Sequence, residues 1–165
     1  MTTAAGPLQV DLVRRTPARA PSAQSLALWA AAALGSGAPG HEIAVQLVSP
    51  AVSRRLNRQF RGEDKATNVL SFPAVPMPGV RPKPLGDLVI CPPVLLREAL
   101  QQGKSQRAHW AHLVVHGTLH LVGFDHEIEA DALRMERREV RVLRGLGFPD
   151  PYRIVAPVTR RRSRA

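Results

Sequence analysis

The sequence predicts an α+β domain: one mixed sheet of about four strands packed with about five helices. Three observations predict it. Short β-type runs alternate with helical patterns over the first ninety or so residues. Three helical patterns then follow with no strand between them. The chain, at 165 residues, has the size of one hydrophobic core. We read a single domain over residues 1–158 and a basic disordered tail over 159–165, with no internal repeat and no domain boundary.

Leu8, Val10 and Leu12 alternate with polar neighbours, as in a half-buried strand. Ser22 is placed to cap a helix through Leu26, Trp29, Ala33 and Leu34, which Gly35 ends. After a loop from Gly35 to Gly40, Ile43 to Val48 reads as a second strand. Ser49-Pro50 is a cap followed by a first-turn proline, and the helix it starts is expected to bury Val52, Leu56 and Phe60. Thr67 to Phe72 is the third strand and Leu85 to Cys91 the fourth. Between them Pro73 to Pro84 carries five prolines, too few backbone donors for a helix or a central strand, so a long surface loop is expected. Pro92-Pro93 opens a helix ending at Gly103. Ser105 caps the next, to about Val122, and the last spans roughly Ile128 to Leu146 with Gly147 as its stop.

Hydrophobic residues make up 44% and charged residues 22%, a globular rather than a disordered composition. Lys and Arg number 23 against 13 acids, a net charge of +10. Arg160, Arg161, Arg162 and Arg164 contribute, yet the body is basic without them, which favours a polyanionic partner such as nucleic acid. Cys91 is the lone cysteine. It excludes an internal disulfide, suits a reducing cytoplasm and reads as a small buried hydrophobe. The apolar segment Leu26 to Leu34 is far shorter than the ~20 residues that span a bilayer, and no membrane association is expected.

The chemistry lies in His116-Gly-Thr-Leu-His120-Leu-Val-Gly123-Phe-Asp125-His126. Helix positions four apart are about 40° apart in projection, so His116 and His120 share a face. Gly123 permits the left-handed turn that ends the helix, and His126 can then supply a third nitrogen. Leu113, Val114, Val115, Leu119, Leu121 and Val122 mark a mostly buried helix, in which uncompensated imidazoles are costly. Three nitrogens and one open position describe a catalytic metal site, not a closed structural one. Zinc suits imidazole donors, as do nickel, copper and iron.

Asp125 is the nearest carboxylate and has three readings: proton acceptor, orienting partner of a ligand imidazole, or loop cap. His112, one turn before His116, either lines the approach to the metal or touches substrate, or is a satisfied core or surface histidine. His109 reads as the latter. Arg54, Arg55 and Arg58 lie on a basic helix face suited to backbone phosphates, or simply to solvent.

The spacing H-x-x-x-H-x-x-G-x-x-H also matches the zinc site of metzincin proteases, which carry a general-base Glu after the first His. Here Gly117 stands there, so peptide hydrolysis by that route lacks its base.

The segment HGTLHLVGFDH resembles the signature H-G-x-L-H-L-x-G-[YF]-D-H of the bacterial YbeY endoribonucleases. Phe60-Arg61-Gly62 through Thr67-Asn68-Val69-Leu70-Ser71-Phe72-Pro73 is similar to that family's arginine-containing block, and Leu85-Gly86-Asp87-Leu88-Val89-Ile90 to a third. The resemblance runs from about Leu56 to Tyr152. It implies metal ligands at His116, His120 and His126 and a functional arginine at Arg61. It also implies processing of the 3′ end of 16S rRNA and ribosome quality control, with contacts to small-subunit ribosomal proteins and the GTPase Era. Arg61 makes physical sense there, because a guanidinium grips a phosphate in bidentate fashion.

Three functions compete at this point. A zinc-dependent single-strand endoribonuclease of rRNA maturation leads. A non-catalytic ribosome-assembly factor with a structural metal, and a metalloprotease, follow. Two nucleophiles are compatible with the first: a metal-activated water, or the 2′-hydroxyl of the RNA itself.

Overall fold

A computed structural model describes residues 4–153. The order of elements is β1 (Gln9–Arg14), α1 (Ala23–Leu34), β2 (His41–Leu47), α2 (Pro50–Arg61), β3 (Val69–Pro73), β4 (Lys83–Ile90), α3 (Pro92–Gln101), α4 (Gln106–Leu121) and α5 (Glu129–Gly145). The four strands form one sheet in the order β1-β2-β4-β3. β1 and β4 each pair parallel to β2, and β3 is antiparallel to β4, which is the mixed α+β sheet expected. The tail expected over Thr159–Ala165 lies outside the described residues.

Alternation along β4 explains why the sheet is covered on both faces. Leu88 and Ile90 enter the larger core with Leu26 and Trp29 of α1, Leu119 of α4, and Met135 and Leu143 of α5. Val89 and the following Cys91 enter a smaller core with Val48, Leu70 and Val94. The buried Cys91 expected from sequence is here.

Helix α4 is buried along most of its length. It approaches the sheet closely at Gly117, where an added Cβ would come within 2.9 Å of Leu88 Cδ2 and 3.3 Å of Ser71 Oγ. Ser71 Oγ donates to the Gly117 carbonyl at 3.1 Å, tying strand to helix. A second close approach sits at Gly86. A Cβ there would lie 2.2 Å from the Phe72 carbonyl, at a φ of +137° that L side chains rarely adopt.

Two expectations are corrected. Val52 and Leu56 are only half-buried against the smaller core, and Phe60 is 55% exposed, edge-on to Phe72. The residues α2 fully buries are polar, Ser53 and Asn57. Ser53 Oγ bridges the carbonyl and N–H of Thr67, at 2.8 and 2.9 Å, and Asn57 Nδ2 donates to the Lys65 carbonyl at 2.9 Å. These bonds, worth about 1 kcal/mol each, hold the chain that leads into β3.

The proline-rich loop is also shorter than expected, because Pro73 ends β3 and Pro84 lies within β4. Pro73 is on the edge strand, where a missing N–H is tolerated, and Pro84 falls where the register with β2 shifts beside Glu42.

Candidate metal centre

Ser105 Oγ accepts from the Ala108 N–H and starts α4, which runs to Leu121. Gly123, at φ +98°, then turns the chain, with its N–H bonded to the His120 carbonyl at 3.2 Å. The loop beyond returns His126 to the two helical histidines. The His116 and His120 rings are 4.7 Å apart between centroids, His120 and His126 4.8 Å, and His116 and His126 5.8 Å. One nitrogen from each lies within 4.8 Å of the others.

The donor set fits a metal ion. His116 Nε2 and His120 Nε2 are 3.2 Å apart, and two nitrogens bound tetrahedrally at about 2.0–2.1 Å are separated by ~3.3 Å. Burial, followed by repulsion from His116 and His126, lowers the His120 pKa to about 4, so this ring keeps a free lone pair at neutral pH. His116 is oriented from behind. Its Nδ1 lies 2.6 Å from Glu139 Oε1, and an ionised carboxylate only accepts, so the Nδ1 proton is the one shared and Nε2 is left bare.

Glu139 of α5 is wholly buried. It also accepts from His112 Nε2 at 2.9 Å and from the Tyr152 hydroxyl. Burial opposes its charge, but the hydrogen bonds from His112 and His116 outweigh that and hold its pKa at about 2. Burial, then the same carboxylate, pushes the Tyr152 phenol up. His112, Glu139 and His116 also form a ligand-type cluster, yet the 2.6 and 2.9 Å separations are hydrogen bonds. Glu139 is therefore the partner that fixes the tautomer of His116.

The histidines open into a recess of roughly 280 Å³, lined also by Asn57 and Arg61 of α2 and by Glu63, Thr67, Asn68 and Ser71. Of the arginines read from the sequence, Arg61 is there. Arg54, Arg55 and Arg58 are exposed on α2 and do not line it. Arg54 is paired with Asp64, at 2.8 and 3.0 Å.

Asp125 is exposed, and its Oδ1 accepts from the His126 N–H at 2.6 Å, the loop-cap arrangement. His112, expected as either a substrate contact or a satisfied core residue, is buried with Nε2 on Glu139. His109 is buried too, its Nε2 2.9 Å from Glu98 Oε2. Gly117 faces Leu88 and Ser71, so a protease-type glutamate at this position would strike the sheet.

Sequence reasoning missed Glu139 and Tyr152. The signal for Glu139 was present: Met135, Glu139 and Leu143 recur every four residues along the buried stripe of α5. An acid in an apolar register needs a buried partner. Tyr152 follows the last helix and carried no comparable signal.

The model of the family described as "Endoribonuclease YbeY" matches residues 20–147. An endoribonuclease YbeY of Methylococcus capsulatus is 49% identical over 150 residues, 91% of this chain and 99% of that protein. Its counterpart in Alkalilimnicola ehrlichii is 51% identical over 153 residues, 89% of this chain and 91% of that one. The solution structure of TM1509 from Thermotoga maritima shares the fold, with a TM-score of 0.53 and 23% identity, covering 88% of this chain and 99% of that one. A family model spanning most of the chain and relatives about half identical along nearly their full length establish that this chain belongs to the endoribonuclease YbeY family.

Proposed function

We propose that this chain is a zinc-dependent endoribonuclease that cuts single-stranded RNA in rRNA maturation, at the 3′ end of 16S rRNA, and serves ribosome quality control. The observation that carries it is that Arg61 lines the same recess as His116, His120 and His126. Membership of the endoribonuclease family supplies the reaction class.

His116, His120 and His126 would hold the ion, which supplies Lewis acidity toward the scissile phosphate when bound. Glu139 orients the His116 ring and leaves its Nε2 bare, and His112 and Tyr152 in turn hold Glu139. We assign His112 to this positioning role. Arg61 grips the phosphate at the rim and stabilises charge as the bond breaks. Arg58 stands on the same face of α2, one turn earlier, where it can meet the next phosphate; Arg55 and the Asp64-bound Arg54 are more peripheral. Asp125 caps the loop that carries His126.

No helix among the described residues is long and apolar enough to cross a membrane; with the lone buried cysteine this supports a cytoplasmic site of action. The family resemblance supports ribosomal proteins of the small subunit and the GTPase Era as partners.

The test is cleavage of single-stranded RNA by the zinc-loaded protein. Chelation should abolish cleavage while leaving most of the far-UV circular dichroism, and zinc should restore it. A double variant, His116→Ala with His120→Ala, that still cut RNA would overturn the reading. Unfolding on chelation would assign the metal a structural role instead.

A further inference from the structure

Helix α5 presents two faces with opposite demands. Met135, Glu139 and Leu143 are buried. Arg134, Arg137, Arg141 and Arg144 fall within about 80° of one another on the opposite side of the helix, over about 15 Å of its axis. All four are exposed, and among the described residues none has a carboxylate within ion-pairing distance. Like charges three and four residues apart repel along a helix, offset here only by Asp131 one turn before Arg134 and by the helix C-terminus beside Arg144.

The stripe also has walls. A groove on one side is bounded by Phe124, Leu133, Arg134, Arg137 and Arg141. A second is bounded by Arg137, Arg141, Arg144 and Tyr152, with the acids Glu136 and Asp150 also on its wall. Tyr152 joins the second groove to the cavity that His112 and His116 line, and it bonds the carboxylate that orients His116.

We propose that this arginine stripe is a second anchor for the sugar–phosphate backbone of the RNA substrate, outside the recess and indifferent to base sequence. The proposal rests on the endoribonuclease reading above. Charge complementarity selects the occupant, because a row of unpaired guanidinia recognises successive phosphates. The partly exposed Tyr152 ring offers a base a stacking surface where the stripe nears the site.

The experiment uses the full, zinc-loaded chain carrying Arg137→Gln with Arg141→Gln, and Arg137→Lys with Arg141→Lys as the charge-keeping control. Binding is measured for a single-stranded RNA long enough to cross both surfaces and for a short oligonucleotide that fills only the recess. Affinity for the long RNA should fall about tenfold or more, with its logarithmic salt slope smaller by about 1.4. Its advantage over the short RNA should collapse, and the lysine variant should keep most of both. An unchanged long-RNA affinity and salt slope would overturn the proposal. So would a glutamine variant that loses binding of polyglutamate alone, which would make the stripe a surface for an acidic protein. Failure of the unsubstituted protein to cut the short oligonucleotide would count against the nuclease reading, while the two binding measurements would still decide the stripe.

Discussion

Glu139 Oε1 lies 2.6 Å from Nδ1 of His116, across 23 residues of chain. This contact sets which nitrogen of His116 carries the proton and turns its lone pair toward His120. The same carboxylate accepts from His112 and Tyr152, so its replacement separates metal affinity from stability. Glu139→Gln should weaken zinc affinity by about 10–100-fold, measured by competition with a chromophoric chelator, with the fold retained. Glu139→Ala should also strand the buried His112 N–H at a cost of about 1–3 kcal/mol. Wild-type zinc affinity in Glu139→Gln would refute the positioning role.

Arg61 lines the recess and, among the described residues, makes no hydrogen bond to His116, His120 or His126. Arg61→Ala should therefore retain stoichiometric zinc and lose cleavage by about a hundredfold or more, as when one preorganised donor is removed. Arg61→Lys should recover only part of it, because an ammonium keeps the charge and not the fork. Zinc content by elemental analysis and single-turnover cleavage check both. A fully active Arg61→Ala protein would remove the arginine from the mechanism.

Gly117 separates α4 from β3 and β4 by less than a methyl group allows. Gly117→Ala should cost about 1–3 kcal/mol through overpacking, lowering Tm by several degrees, because Leu88 Cδ2 and Ser71 Oγ must give way. Gly117→Glu, the protease-like substitution, should yield poorly folded protein and no casein hydrolysis. A well-folded Gly117→Glu variant that cleaved peptides would sink the packing account and the rejection of peptidase chemistry together.

Glu98 links stability to acid. Burial pushes its carboxyl up, but hydrogen bonds from His109 and Asn68 outweigh that and leave its pKa below the ordinary 4.5. Arg97 and Lys104 are the other charges that face it. A depressed carboxylate pKa contributes stability that is complete above about 4.5 and lost as pH falls through the folded value. Glu98→Gln should destabilise the protein at pH 7 and flatten the decline of denaturation midpoint below pH 5. Parallel curves for the two proteins would show that Glu98 carries no such linkage.

Much of this molecule was legible in its sequence because the decisive patterns are local. Strand alternation, caps at Ser22, Ser49 and Ser105, and stops at Gly35 and Gly147 follow from the period and the φ of a few neighbouring residues. The convergence of His116, His120 and His126 is local too, since an i, i+4 pair and a glycine turn need no distant chain. Arg61 came from family resemblance alone, because one exposed arginine beside several others has no local distinction.

The tertiary structure decided what depends on elements far apart in the chain. Val52, Leu56 and Phe60 have core spacing, yet α2 docks through Ser53 and Asn57, because the strand-entry loop offered backbone groups that had to be satisfied. Which carboxylate would stand behind His116 was likewise undetermined until α5 packed on α4. Periodicity says which face of a helix is buried; only packing says which atom on another element it meets, and there a single acid in an apolar stripe became the residue that orients His116.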